Sequence, residues 1–406
     1  MQEEMAMAEK KKKQKWILKR HKVVIELARL VMRPYCRLVY GLKFPKAKDL
    51  IREPSLVLLN HVTPMDQFFV GLYFRDPLYY MATEDIFSNG WLSSLIKWAV
   101  NPIPIKKQTT DIKAVMNCIR VVREGGSICI APEGNRTYDG RLVYVNPAIA
   151  GMARKLGLPI RLFRIDGGYG MEPRWADKPR KGKLTMEITR VITPEEAKAM
   201  TEEELLKAII DGLSVDENRV DRQFRGKHRA EFVERMVYVC PECGLSTFES
   251  HGNTFCCKTC GKETEILPTK ELKGVNWECP FRFLGHWYDY QQNFVNELDT
   301  DAYLDTPLYK EQVNVRKVIL YKNKVPFMDN ATVAIYGDRI TLNDLVLPFE
   351  EVSTVTVLGR NKLNIYHNGE VYQFKGHKGF NSLKYMNLYW RSKNIRGEQN
   401  GKFLGL

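Results

Sequence analysis

The chain has 406 residues, 44% of them hydrophobic and 27% charged, with 28 Gly and 19 Pro. That composition excludes a collagen-like or wholly disordered polymer and allows two or three domains with buried cores. Nine Cys are too few for a small disulfide scaffold, and no charge-free stretch exceeds twelve residues, short of the ~20 apolar residues of a spanning helix. The net charge is +14, and residues 1–54 hold fifteen basic and six acidic side chains, so most of the excess sits at one end. No apolar signal core follows the basic start, so no secretion signal is expected.

In chain order, Lys10–Lys13 reads as a solvated start. Trp16, Ile17, Val23, Val24, Leu27, Leu30 and Val31 then recur at helical spacing among Lys and Arg. Such a helix suits an anionic membrane surface, or packs on its own domain with a charged face in water; the expectation for 1–54 is a membrane-docking segment. Ser55–Asn60 is a buried strand. Thr63-Pro64-Met65-Asp66 combines a good cap, a first-turn Pro and an acid, which predicts a helix starting there. A strand is expected over Pro77–Ala82 and a Trp-rich helix over Ile86–Ala99, either packed in the core or facing lipid or acyl chains. A helix over Asp111–Glu124 carries the stripe Ile112, Val115, Met116, Ile119, Val122 and stops at Gly125-Gly126. Strands over 127–131, 160–165 and 183–191 alternate with helices over 145–156 and from Thr193 toward Leu213. This predicts an α/β fold, a mostly parallel sheet flanked by helices, over residues 55–230.

Two groups carry chemistry. His61 and Asp66 lie between a strand end and a helix start, and Glu133-Gly134-Asn135-Arg136 follows the strand at 127–131. In a parallel sheet both would lie on the carboxyl rim, where ligands bind. An imidazole steadied by a carboxylate is a general base, and a guanidinium offers a planar fork to phosphate or carboxylate. The pair describes a base beside an anion clamp without naming a reaction.

Asn60-His61-Val62-Thr63-Pro64-Met65-Asp66 resembles the first motif of the glycerophospholipid acyltransferases of the 1-acylglycerol-3-phosphate acyltransferase type. Ala131-Pro132-Glu133-Gly134-Asn135-Arg136-Thr137 resembles their third, Asn101–Lys107 the second, and Leu158-Pro159-Ile160 the start of the fourth. The resemblance implies that His61 takes the proton of a lysophospholipid hydroxyl, most simply of lysophosphatidic acid, giving phosphatidic acid. That oxygen attacks the thioester of acyl-CoA or acyl-acyl-carrier protein. It also implies that Asp66 orients His61 and that Glu133, Gly134, Arg136 and Lys107 bind the acceptor. Asn135 stands where Thr is usual and Lys107 where Arg is usual. Arg161 and Arg164 interrupt a stretch that is normally apolar; they either widen an anion site or sit at solvated edges.

Cys240-x2-Cys243 and Cys257-x2-Cys260, each pair followed by Gly, are spaced for a closed tetrahedral shell and resemble a zinc ribbon, expected over 236–268. Structural Zn2+ is therefore the expected cofactor, with no catalytic role. Cys256 could replace Cys257, but the repeated Cys-Gly favours Cys257. Residues 269–310 read as a linker. The segment 311–395, strands followed by a helix, resembles a PH-like or GRAM-like β-barrel with a closing helix, with Asn368-Gly369 as a hairpin turn. The expected partners are membrane lipid and lysophospholipid, with acyl carrier protein as an optional donor and no nucleic acid; the expected place is the cytoplasm, at the inner face of the membrane. The alternative is a non-catalytic membrane adaptor that uses the ribbon and the PH-like domain to bind partners or lipid.

Overall fold

The computed structural model describes residues 15–83, 86–105, 112–319 and 322–396. The Lys10–Lys13 run and Lys107 lie outside them. A six-stranded sheet organises the first half. Its strands are β1 (Leu56–Leu59), β2 (Leu78–Thr83), β3 (Ile103–Ile105), β4 (Ser127–Ile130), β5 (Ile160–Asp166) and β6 (Thr185–Ile192), in the order β3-β2-β4-β1-β5-β6. The first five are parallel and β6 is an antiparallel edge. β1 and β4 are buried along their whole length, as continuous apolar runs at the centre of a two-faced sheet must be. One face packs Leu56, Leu58, Ile128 and Ile160 against helices; the other packs Val57, Leu59, Phe69 and Phe163.

The helices of this half are α1 (Lys19–Tyr40), α2 (Asp66–Gly71), α3 (Trp91–Val100), α4 (Ile112–Arg123), α5 (Ala148–Leu156), the single turn α6 (Gly168–Met171), α7 (Pro194–Ala199) and α8 (Glu202–Leu213). The last two each begin with a reciprocal Thr/Glu cap, Thr193 with Glu196 and Thr201 with Glu204, so the one charged helix expected there is two. α2 is also shorter than expected and starts at Asp66, not beside Pro64, because the Asp66 carboxylate folds back onto the N–H groups of Val62 and Thr63.

Two amphipathic helices, α1 and α3, face the opposite way from a core-packing reading, and α4 does so in part, its Ile119 and Val122 still packing on the core. α1 turns His21, Arg29, Cys36 and Tyr40 inward; His21 meets the Tyr79 hydroxyl at 3.1 Å and Arg29 Nη2 donates to the Phe74 carbonyl at 2.6 Å. Its Val23, Leu27, Leu30, Val31 and Leu38 are exposed, the last at 87%. In α3, Trp91 (77% exposed), Leu92, Leu95 and Trp98 are likewise in the open, and the helix begins five residues later than Ile86. α1 and α3 touch through Arg20, whose Nε donates to the Trp98 carbonyl at 2.9 Å. In α4 the buried face is Ala114, Cys118 and Val121, whereas Ile112 and Met116 of the expected stripe are exposed. Small side chains let that helix approach β3 and β4 more closely than the larger stripe would. None of the described helices is long and apolar enough to cross a membrane.

The described residues of the second half form three further sheets. The short pair β7 (Val239–Cys240) and β8 (Gly244–Leu245) precedes a four-stranded sheet of β9 (Phe248–His251), β10 (Thr254–Cys257), β11 (Glu263–Ile266) and β12 (Leu272–Gly274). The stretch 269–310 is not a linker. It supplies β12 and the fourteen-residue helix α9 (Leu284–Glu297), whose Trp287 packs on Phe248 and Phe255 and donates to the Val239 carbonyl at 2.8 Å. Mixed polarity hid this helix, whose buried face combines Leu284, Trp287, Tyr288 and Val295 with the polar Gln291. Next come β13 (Tyr309–Lys317), β14 (Val325–Ile335), β15 (Arg339–Leu342), β16 (Leu345–Pro348), β17 (Val352–Leu358), β18 (Lys362–His367) and β19 (Glu370–Lys375). They form an antiparallel sheet in the order β16-β15-β14-β13-β19-β18-β17. Helix α10 (Ser382–Arg396) packs against it, and Asn368 and Gly369 take positive φ in the β18–β19 turn. One continuous core runs from Tyr138 and Trp175 of the first half through the cysteine-bearing sheet to Phe349, Val355 and Tyr389.

Candidate active site

β1 and β4 are parallel neighbours, so the segments leaving their carboxyl ends lie side by side. Asn60 pins the end of β1: its amide donates to the Ile165 carbonyl at 2.8 Å and its oxygen accepts from the Ile165 N–H at 2.7 Å. His61 follows, with its side chain 28% exposed. Its Nδ1 lies 2.7 Å from Asp66 Oδ2, an acid that is itself buried. The Asp66 oxygens also accept from the N–H of Val62 at 2.7 Å, the N–H of Thr63 at 3.0 Å and the Thr63 hydroxyl at 2.7 Å. Four donors around one acid hold it still, and with Asp66 accepting from Nδ1 the other ring nitrogen, Nε2, carries the lone pair. Thr63 is the member sequence reasoning missed. Its hydroxyl also accepts from the Met65 N–H at 3.1 Å, so it shapes the acid's cradle and does not cap a helix.

Glu133 was expected on the substrate; the structure gives its carboxyl to the backbone. Oε1 accepts from the His61 N–H at 2.5 Å and Oε2 from the Val143 N–H at 2.7 Å, and the group is buried. Burial pushes its pKa up to about 8 against the opposing pull of these two N–H groups. The Thr137 N–H donates to the His61 carbonyl at 3.0 Å, so this loop grips His61 from both sides of its peptide. Gly134 makes the turn possible with φ +67°, a conformation that favours glycine.

Arg136 follows in the same loop. It is 9% exposed, and among the described residues its Nη1 has no hydrogen-bond partner. Burial and the neighbouring Arg174 lower its pKa to about 10. Arg174, also buried, was invisible to sequence reasoning because its partners lie far along the chain. Nη1 donates to the Arg136 carbonyl at 2.8 Å, Nε to the Gly359 carbonyl at 3.0 Å and Nη2 to the Val357 carbonyl at 3.1 Å. The guanidinium thus ties the loop of Arg136 to the turn between β17 and β18. Arg161 and Arg164 lie on β5, inside the sheet, and are engaged by acids: the first pairs with Glu53 at 2.6 Å and with Ser55, the second with Glu187 at 2.5 Å.

The sulfurs of Cys240, Cys243, Cys257 and Cys260 all lie within 4.8 Å of one another. Gly244 and Gly261, the residues after each pair, take φ of +70° and +71°. Cys256 points elsewhere, with its sulfur 3.7 Å from Glu249, which settles the choice for Cys257. The Ser246 hydroxyl sits 3.1 Å from the Cys257 sulfur. Burial raises that thiol, but the hydroxyl and the N–H groups of Thr259 and Cys260 outweigh it and leave it lowered to about 7. Four soft donors converging on one point fit a tetrahedral metal ion.

Residues 39–162 match the model of the Acyltransferase family. The matched stretch contains His61, Asp66, Glu133, Gly134 and Arg136. A solved structure similar to this chain is the 1-acyl-sn-glycerophosphate (LPA) acyltransferase PlsC from Thermotoga maritima, 21% identical, with a TM-score of 0.40 over 47% of this chain and 77% of that one.

Proposed function

We propose, for a chain whose residues 39–162 place it among the acyltransferases, that the acceptor is a lysophospholipid and the reaction a direct acyl transfer. Lysophosphatidic acid is the acceptor we favour, with phosphatidic acid as product. The donor is the thioester of acyl-CoA or acyl-acyl-carrier protein. The observation that carries this reading is the 2.7 Å contact of His61 Nδ1 with Asp66, on the same rim as a buried, unsatisfied Arg136.

Nε2 of His61 removes the proton of the glycerol hydroxyl as its oxygen attacks the thioester carbonyl. The imidazolium formed is stabilised by Asp66, and collapse of the tetrahedral intermediate expels the thiolate, which takes the proton back. Arg136 holds the acceptor phosphate, with Lys107 assigned to the same task. Glu133 and Gly134 act one step removed, by fixing the His61 peptide and the turn that presents Arg136. No Gly-x-Ser-x-Gly turn is present in the sequence, in keeping with transfer that bypasses an acyl-enzyme.

The exposed apolar faces of α1, α3 and α4, beside a basic N-terminal segment, support peripheral attachment to the inner face of a membrane, where an acceptor of this class resides. The four cysteines would hold structural Zn2+, and the C-terminal sheet with α10 is read as a PH-like unit. Purified protein supplied with labelled acyl-CoA and lysophosphatidic acid should form labelled phosphatidic acid, and His61→Ala should abolish it. No product with either class of donor would leave the adaptor reading in its place.

A further inference from the structure

A cavity of about 340 Å3 lies behind the loop of Arg136, and three separate parts of the chain wall it. One wall is the loop itself, with Arg136, Leu142 and Val143; the opposite walls are Gln292 and Asp289 of α9 and Leu383 and Met386 of α10. Neither helix lies within the residues matched by the acyltransferase family. The geometry points to this cavity as the pocket for the acceptor's anionic head group, with α9 and α10 setting which head groups fit. The inference rests on the lysophospholipid reading above and adds to it where the acceptor sits and what selects it.

Charge supports an anion. Arg141, on the cavity wall, lies 2.5 Å from both Asp139 and Asp289, so those acids are already engaged. The Arg174 hydrogens go to carbonyl oxygens, which leaves its charge without a counter-ion among those contacts. Arg136, on the same wall, adds a second buried charge. An anionic group in the cavity would balance both.

Size supports a head group and no more. The volume is at the low end of the ~300–1,000 Å3 typical of small-molecule pockets, so a glycerol phosphate fits and a long acyl chain does not. Leu142, Leu383 and Met386 give the glycerol carbons an apolar wall. Position supports coupling to the chemistry: Val143 and His61 share the two oxygens of Glu133, so the pocket wall and the base are fixed to one another.

The test is steady-state kinetics of the full chain with lysophosphatidic acid and acyl-CoA. Gln292→Trp, which narrows the pocket from α9, should raise the KM for lysophosphatidic acid about tenfold and leave that for acyl-CoA within about twofold. Gln292→Ala should shift the kcat/KM ratio toward lysophosphatidylglycerol, a bulkier head group. Glycerol 3-phosphate should compete with lysophosphatidic acid in the wild type, and inorganic phosphate much less. An unchanged KM in Gln292→Trp at wild-type Tm overturns the proposal, as does competition by inorganic phosphate equal to that of glycerol 3-phosphate. If Gln292→Trp does not fold, the selectivity of Gln292→Ala decides alone, and an unshifted ratio overturns the proposal. If His61→Ala proves as active as wild type, the catalytic reading fails on its own. The pocket is then judged by thermal stabilisation with glycerol 3-phosphate, expected in the wild type and lost in Gln292→Trp.

Discussion

Asp66→Asn tests the core of the mechanism with a change of one atom. The wild-type acid accepts from four donors and gives none. If the Asn carbonyl takes the Oδ2 position, the bonds from His61 Nδ1 and Val62 survive without their charge, at about half their strength. The new NH2 then replaces Oδ1; the Thr63 N–H keeps the acceptor at the Oδ2 position, 3.0 Å away, and the Thr63 hydroxyl turns from donor to acceptor. If the NH2 takes the Oδ2 position, Nδ1 must accept, the ring proton moves to Nε2, and the base is lost. In both orientations the imidazolium of the transition state loses its counter-ion, a charge-assisted bond of about 1.5–3 kcal/mol. That loss raises the barrier by about 1.5–3 kcal/mol, or about 10- to 200-fold in kcat at 1.36 kcal/mol per decade, and by more where the ring proton has moved. The assay is label transfer from acyl-CoA to lysophosphatidic acid in mixed micelles, with Tm and circular dichroism measured on the same preparations. A variant that keeps kcat within fivefold of wild type while folded would refute the assignment. Thr63→Ala, which removes one of the four donors, should lose about five- to tenfold.

Cys240→Ser should lower bound zinc from about one ion per chain to a small fraction and reduce Tm, because Cys240 and Cys257 lie in the core shared by the second half of the chain; metal analysis and calorimetry read both. Glu133 keeps its proton in the fold up to about pH 8, whereas the unfolded chain releases it near ~4.3. Its contribution to stability is therefore full below ~4.3, falls as pH rises through that window and is flat above about 8. Glu133→Gln should remove that slope from a plot of Tm against pH, and an identical slope in the variant would show the proton lies elsewhere. Paired substitution of Leu38 and Trp91 by Glu, on the exposed faces of α1 and α3, should weaken sedimentation with anionic vesicles at least tenfold and leave activity toward short-chain acceptors in detergent within about threefold.

Much of the first half was legible in the residues. β1 and β4 are short apolar runs bounded by polar turns, a local pattern that needs no partner to be read, and a parallel sheet then puts His61 and Arg136 on one rim. The cysteine spacing was equally local, since two C-x2-C knuckles bring four sulfurs to one point. The amphipathic helices show the limit of this reading. Periodicity marks an apolar face but not its direction, and in α1 the stripe faces out while His21 and Arg29 find partners on β2 and the loop after α2.

The amino-acid sequence by itself determined the α/β class, the pairing of His61 with Asp66 and the cluster of four cysteines, because each depends on residues close in the chain or on a repeating period. Only the tertiary structure decided that Glu133 serves the His61 backbone, that Arg174 fastens the loop of Arg136 to a turn some 185 residues away, and that the supposed linker carries α9. Those contacts join segments whose separation along the chain says nothing of their distance in space. Burial of Arg136 and the cavity beside it arise when separate parts of the chain close over one core.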